Sequence, residues 1–450
     1  MSNNDKGPEG QGREAILSAL DPAQREAARQ KEGTLCLMAG AGSGKTSTVS
    51  SRIALGVQEG GWNPAKTVAI AFSKQAALSL KARIASMTEK KIRVSTFHSL
   101  ALSQLRRLWS LFALSDPPAL LDERGSARIM EEACPDSPPA PLLSAVKWAK
   151  SSLLAPGEAA CASSQLPFPL PPGFEGAWEK YEKAKRERGA MDFDDIFLLL
   201  LRILKSSPEA RSMVSGSFES ITVDEYQDVS PAQHAVLKFW ASRAQSVCVV
   251  GDPAQSIYSF AGSSNWFLKH VEGDFLSPYR QIFLSSNYRS GREIIRCANS
   301  ILAPSPEKYG RSKAVSRARG SVSKEAFIDF PSLASKAADL AKKREKGKSL
   351  AILARSRRDL EALAKELSAR SIPYSGPGGG AEGAVALSTI HAAKGLEWDR
   401  VILAVGTERV EPSEEERRIL YVAATRAKEK LDILFLPSPL NLSRFLPFSL

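Results

Sequence analysis

Ala39-Gly40-Ala41-Gly42-Ser43-Gly44-Lys45-Thr46 follows the short apolar run from Thr34 to Met38. That order predicts a strand, a glycine-rich turn and a helix start. Glycines at 40, 42 and 44 let the backbone enter conformations closed to other residues, so successive N–H groups can face one anion. Lys45 adds a point charge for the β and γ phosphates, Thr46 adds a hydroxyl ligand for Mg²⁺, and Ser47 completes the nucleotide-binding set. The strict pattern has glycine where this chain has Ala39. The expected ligands are a nucleoside triphosphate and Mg²⁺.

A second run, Ile221-Thr222-Val223-Asp224-Glu225-Tyr226-Gln227-Asp228, ends in adjacent carboxylates. A strand end holds such groups rigidly. Asp224 is the second expected ligand of Mg²⁺, and Glu225 the base that deprotonates the water attacking the γ phosphate. Neither motif decides much alone; in this order they predict NTP hydrolysis.

Working outward, the 450 residues with 43% hydrophobic content suffice for more than one core, and the length favours two or three domains. The formal charge of +12 points to a polyanionic partner, nucleic acid first and anionic membrane second. No apolar run approaches the roughly 20 residues that span a bilayer, and residues 1–13 are polar, so the expected location is the cytoplasm or otherwise intracellular, with no membrane partner. The five cysteines, at 36, 134, 161, 248 and 297, lack C-x-x-C pairing and read as buried small hydrophobes in a reducing compartment. The four histidines are equally dispersed, so no metal beyond nucleotide-bound Mg²⁺ is expected.

Strand-like runs at Val68 to Phe72, Ser246 to Val250, Ser349 to Leu353 and Arg400 to Val405 alternate with helical patterns such as Gln75 to Ile84 and Arg357 to Leu367. Alternation of this kind predicts an α/β chain with parallel sheets flanked by helices. Between Leu105 and Lys205 the pattern turns helical and is broken by prolines, which reads as a helical insertion in the first α/β domain. Gly376 to Gly383 is a glycine-rich bridge within a second α/β unit.

In order along the chain, some eight segments resemble the UvrD/Rep family of superfamily 1 DNA helicases. Leu20 to Ala27 resembles the family's adenine-reading segment, with Gln24 the reading amide. Ala71-Phe72-Ser73-Lys74-Gln75 and Thr96-Phe97-His98-Ser99 resemble its first strand-contacting segments, with Lys74-Gln75 where an Asn-Lys pair is usual. Gly251-Asp252-Pro253-Ala254-Gln255-Ser256-Ile257-Tyr258-Ser259-Phe260 resembles the stretch that senses the γ phosphate through Gln255 and offers Tyr258 and Phe260 to DNA. Ala261 stands where the family commonly has arginine. Asn287-Tyr288-Arg289-Ser290 implies Tyr288 on adenine and Arg289 at the γ phosphate. Thr389-Ile390-His391 through Glu397 implies Thr389 and His391 toward DNA and Glu397 at the ribose, and Arg426 is the implied arginine finger.

The resemblance implies two RecA-like P-loop NTPase cores with ATP between them. The expected domains are 1–104 and 206–278 for the first core, 105–205 for the helical insertion, and 279–450 for the second core, with 376–383 in place of the family's 2B insertion. It also implies ATP-driven movement 3′ to 5′ on single-stranded DNA and tailed duplexes, in repair, recombination or replication. Little room remains after Arg426 for the family's duplex-splitting hairpin. The alternatives are a DNA-stimulated ATPase subunit of a nuclease or defence complex, and a nucleic-acid-binding scaffold. A protein loader or nuclease is the candidate protein partner, and the chain is expected to be a monomer without DNA. The basic stretches Lys308 to Arg319 and Lys342 to Lys348 read equally as phosphate contacts or as solvated faces. Asp192-Phe193-Asp194-Asp195 resembles a segment joining the insertion to the core, with no further acidic cluster in the sequence to suggest a nuclease.

Overall fold

The computed structural model describes residues 8–59, 61–112, 116–162, 169–316, 318–376, 383–406, 413–439 and 441–446. Its chain groups into two compact units. The first holds Met1–Met38, Thr46–Gly251 and Tyr258–Ile282; the second holds Ala39–Lys45, Asp252–Ile257 and Phe283–Leu450. Two short loops therefore belong by their contacts to the second unit, although the expected boundary lay at 279.

In the first unit the strands are β1 (Gly33–Ala39), β2 (Thr67–Ala71), β3 (Arg93–Thr96), the short β4 (Ala119–Leu120) and β5 (Ala190–Met191), then β6 (Ser220–Val223), β7 (Ser246–Gly251) and β8 (Tyr279–Leu284). Six of them form one sheet in the order β3-β2-β6-β7-β1-β8. The β2/β3, β2/β6, β6/β7 and β1/β7 pairs are parallel. Strands β2, β6 and β7 are buried along their whole length, as continuous apolar runs must be when helices cover both faces. The phosphate loop leaves β1, the acidic pair leaves β6, and Asp252 follows β7, all at carboxyl ends of strands, where open α/β sheets keep their ligand sites.

The expected insertion at 105–205 cuts through two helices. Helix Phe97–Phe112 runs past position 105, and helix Asp195–Ser206 buries Ile196, Leu200 and Leu204 in the first core beside Leu100 and Trp240. A separate apolar cluster is drawn from Ile129 to Tyr181 and includes Trp148, Phe174 and Trp178. The inserted body is therefore shorter than its helical pattern, because amphipathic helices at its two ends serve the sheet. Of the cysteines, Cys36, Cys248 and Cys297 are buried, but Cys134 is half-buried and Cys161 exposed, so burial does not explain all five.

Where the insertion meets the core, the Asp192 segment proves to be an ionic knot. Lys150 Nζ lies 2.8 Å from Asp192 and 2.6 Å from both Asp195 and Glu182. Lys185 Nζ lies 2.7, 2.5 and 2.9 Å from the same three carboxyls. Burial opposes charge on Asp192, but the two ammonium groups overcome it and hold the carboxyl far below its ordinary range. Two cations fill the space among the three carboxylates, which accounts for their grouping without a metal. Removing one partner leaves an uncompensated buried charge. Lys185→Met is therefore expected to destabilise the protein by about 3–5 kcal/mol, read as a lowered midpoint in urea unfolding.

The second unit contains β9 (Ser286–Asn287), β10 (Lys313–Ala314), β11 (Ser321–Ala326), β12 (Leu350–Ala354), β13 (Tyr374–Ser375), β14 (Val385–Thr389), β15 (Trp398–Val405) and β16 (Ala427–Phe435). Its sheet runs β11-β16-β15-β12-β14-β13, parallel throughout. Helices Phe330–Lys342 and Arg357–Ala369 pack Leu333, Leu363 and Leu367 onto Ile352 and Ile402. The fold is thus the expected α/β class with two parallel-sheet units. Positions 377–382 of the glycine-rich bridge lie outside the described residues. No helix among the described residues is long and apolar enough to cross a membrane.

Candidate functional site

The phosphate loop is shaped by glycine at two positions above all. Gly42 and Gly44 have φ of 67° and 79°, a region costly for other residues. At Gly42 an added Cβ would also lie 2.6 Å from the Asn287 amide and 2.7 Å from Cβ of Arg289. Asn287, almost fully buried, organises this corner of the second unit. Its Nδ2 donates to the carbonyl of Ala41 at 2.6 Å, while its Oδ1 accepts from the backbone N–H of Arg289 at 3.0 Å and of Ser290 at 2.8 Å. The Tyr288 N–H donates to the Gly42 carbonyl at 2.9 Å. One side chain thereby fixes both the loop and the backbone beneath Tyr288 and Arg289. Sequence reasoning quoted Asn287 without giving it a role. Tyr288 itself is 46% exposed.

In the same unit, Gln255 and Arg426 are brought together. Arg426 is 1% exposed, and its Nη2 donates to Gln255 Oε1 at 3.2 Å. Gln255 Nε2 in turn donates to Asp252 at 2.8 Å, and Lys394 Nζ donates to the Gln255 carbonyl at 2.6 Å. The guanidinium also donates to the carbonyls of Val422 and Leu396. Arg289 pairs through Nε with Glu397 at 2.5 Å, and Lys428 reaches the other oxygen of that carboxylate at 2.9 Å. Partial burial works against charge on Glu397, but Arg289 and Lys428 bring its carboxyl below the ordinary value.

The first unit supplies the remaining groups. Thr46 and Ser47 lie in the opening turn of helix Lys45–Gln58, and Ser47 Oγ accepts from Arg83 at 3.0 Å. Asp224 accepts the Glu225 N–H at 2.9 Å, and Glu225 accepts from the Gln227 amide at 2.5 Å. Glu225 sits at φ 53°, strained for a residue with a Cβ. Gln24 is buried in a capping box, its Oε1 accepting from Asp21 N–H at 3.0 Å. Adenine recognition by Gln24 would therefore use its amide N–H groups and the second lone pair of that oxygen. The hydroxyl of Thr46 and the carboxylate of Asp224 are hard oxygen donors of the kind Mg²⁺ takes, and they fit that ion.

For DNA, three expected aromatics meet. Phe72, 46% exposed, stacks on Tyr258 with ring centroids 5.2 Å apart, and Tyr258 meets Phe260, 45% exposed, edge to face at 6.0 Å. Phe97 is different. It is buried in the first core and stacked 5.9 Å from Trp240, so its ring packs the core and is not open to a base as the expected DNA contact requires. Thr96 accepts the Ser99 N–H at the start of that helix. His98 lies edge-on to Phe197 at 4.7 Å, and burial, aided by Lys147, lowers its pKa to about 4. His391 is brought down to about 4 by burial and then by Arg355 and Lys394. Both imidazoles are neutral near pH 7, so neither adds positive charge toward a phosphate. Thr389 Oγ1 accepts from the Ala392 N–H.

The description "UvrD/REP helicase N-terminal domain" matches residues 20–276, more than half the chain, and "UvrD-like helicase C-terminal domain" matches 282–380 and 378–437. The chain belongs to the UvrD/REP helicase family. Among curated relatives, a protein named ATP-dependent DNA helicase PcrA from Staphylococcus epidermidis is 28% identical over 380 residues, 81% of this chain and 52% of the relative. The protein of the same name from Leuconostoc citreum is 29% identical over 318 residues, 68% of this chain and 42% of its own length. That from Staphylococcus aureus is 27% identical over 380 residues, with shares of 81% and 52%. The chain spans about half the length of the curated relatives it matches.

Proposed function

We propose that this chain is an ATP-hydrolysing motor that moves 3′ to 5′ on single-stranded DNA and acts in DNA repair, recombination or replication. The observation that carries the reading is the stretch 252–260. At one end Gln255 is hydrogen-bonded to Arg426, and three residues on begin the half-buried ring of Tyr258 and the exposed ring of Phe260. A change at the γ phosphate would thus reach a base-stacking surface through a few backbone bonds. The relatives' name, ATP-dependent DNA helicase, supports the same reading.

In this reading the N–H groups of residues 40–45 and the Lys45 ammonium hold the phosphates. Thr46 and Asp224 would hold Mg²⁺, which would neutralise phosphate charge when bound. Glu225 takes the proton of the attacking water. Arg289 exchanges Glu397 for the γ phosphate, and Arg426 stabilises charge developing in the transition state. Nucleotide contacts favour one arrangement of the two units, hydrolysis releases it, and alternating grip on DNA becomes a step.

The two stretches matched by the C-terminal family description meet at 378–380, within the bridge that the resemblance sets in place of the family's 2B insertion. This favours a second reading, a DNA-stimulated ATPase subunit that leaves duplex separation to a partner. Steady-state ATP turnover with and without oligothymidylate, beside displacement of a strand from 3′-tailed and 5′-tailed duplexes, decides between them. Stimulation with displacement from the 3′ tail is the expected result; stimulation alone selects the subunit, and no stimulation sinks both. Stacking contributes about 1–3 kcal/mol per base, so Phe260→Ala should raise the oligothymidylate concentration for half-maximal stimulation about tenfold.

A further inference from the structure

We propose that a groove in the first unit, between helix Phe174–Glu187 and helix Asp195–Ser206, docks an acidic peptide that inserts a large apolar side chain. The cavity has a volume of about 850 Å³, within the range of built ligand pockets. Its apolar wall comes from Trp109, Met191, Leu198 and Leu199, all of them buried or half-buried. Around it stand Lys180, Lys183, Arg186 and Arg202, all exposed, against the single exposed carboxylate of Glu179.

Among the described residues Lys180, Arg186 and Arg202 form no ion pair, and Lys183 has only Glu187 at 3.9 Å, an exposed contact of small effect. The deeper cations Lys150 and Lys185 are already matched by Glu182, Asp192 and Asp195. Positive charge is therefore available at the rim and balanced at the floor. A partner that places carboxylates on the rim and an apolar side chain on the wall complements both.

Nucleic acid complements the groove less well. Bases need open flat faces, and exposed rings lie at Phe72 and Phe260, whereas the two tryptophans that line this groove, Trp109 and Trp178, are half-buried and buried. The inference stands apart from the motor reading, since none of these residues belongs to the nucleotide or DNA sets.

The test uses the full chain and a fluorescein-labelled acidic decapeptide with a central Leu-Phe pair, followed by fluorescence anisotropy. Binding is expected, with about tenfold loss on replacing the Leu-Phe pair by Ser-Ser, and about tenfold loss in the double variant Lys183→Glu, Arg202→Glu. ATP turnover of that variant should match the parent, which verifies its fold. Absence of peptide binding, or binding indifferent to both changes, overturns the proposal. So does competition by oligothymidylate that is itself abolished in the double variant, which would give the groove to nucleic acid.

Discussion

Arg426→Lys is expected to lower kcat for DNA-stimulated ATP hydrolysis by about 10³-fold, the lower end of what an arginine finger contributes. Lysine keeps the length and much of the charge but not the fork. Arg426 spreads its donors over Val422 O, Leu396 O, Thr425 Oγ1 and Gln255 Oε1. An ammonium cannot reach that set at once, and at 1% exposure its charge is disfavoured by desolvation. Some stability should be lost too, about 1–3 kcal/mol, because buried acceptors are left short. Thermal unfolding and oligothymidylate anisotropy separate the two effects. A folded, DNA-binding variant with kcat within about tenfold of the parent would contradict the assignment, since an arginine finger contributes far more than that.

The second large effect concerns Glu225. Glu225→Gln preserves shape and removes the base, so hydrolysis should fall by about 10²–10⁴-fold while ATP still binds. Glu225→Gly should be equally inactive and yet more stable by about 1 kcal/mol, because glycine adopts φ 53° without the strain that a Cβ brings. A loss of turnover coupled to a rise in unfolding midpoint is a pairing that a purely structural glutamate cannot produce. Equal stability losses in both variants would remove the strain argument, and unchanged turnover in Glu225→Gln would remove the base.

Much of this was legible in the chain. Runs such as Thr67–Ala71 and Ser246–Gly251 are apolar without alternation, which only strands buried on both faces tolerate, and they gave the sheets. The loop and the acidic pair were legible because their chemistry is local: glycines, a lysine, a hydroxyl and two carboxylates at strand ends. Asn287 was missed for the opposite reason. Its partner is the carbonyl of Ala41, 246 positions away, and nothing local marks such a bond. Phe97 misled because a ring at a strand-to-helix junction can face sheet or solvent, and only Trp240 decides which. The insertion's limits were blurred because helices Phe97–Phe112 and Asp195–Ser206 share its helical periodicity while packing elsewhere.

The ionic knot of Lys150, Lys185, Glu182, Asp192 and Asp195 has a consequence for how this protein can change over generations. Loss of either lysine leaves three carboxylates with one cation and passes through a less stable ancestor, whereas exchanging the whole set for apolar side chains of like volume would be close to neutral. Drift proceeds one residue at a time. The knot is therefore held in place by the depth of the valley around it, and its persistence among descendants would measure that depth and not any service it performs.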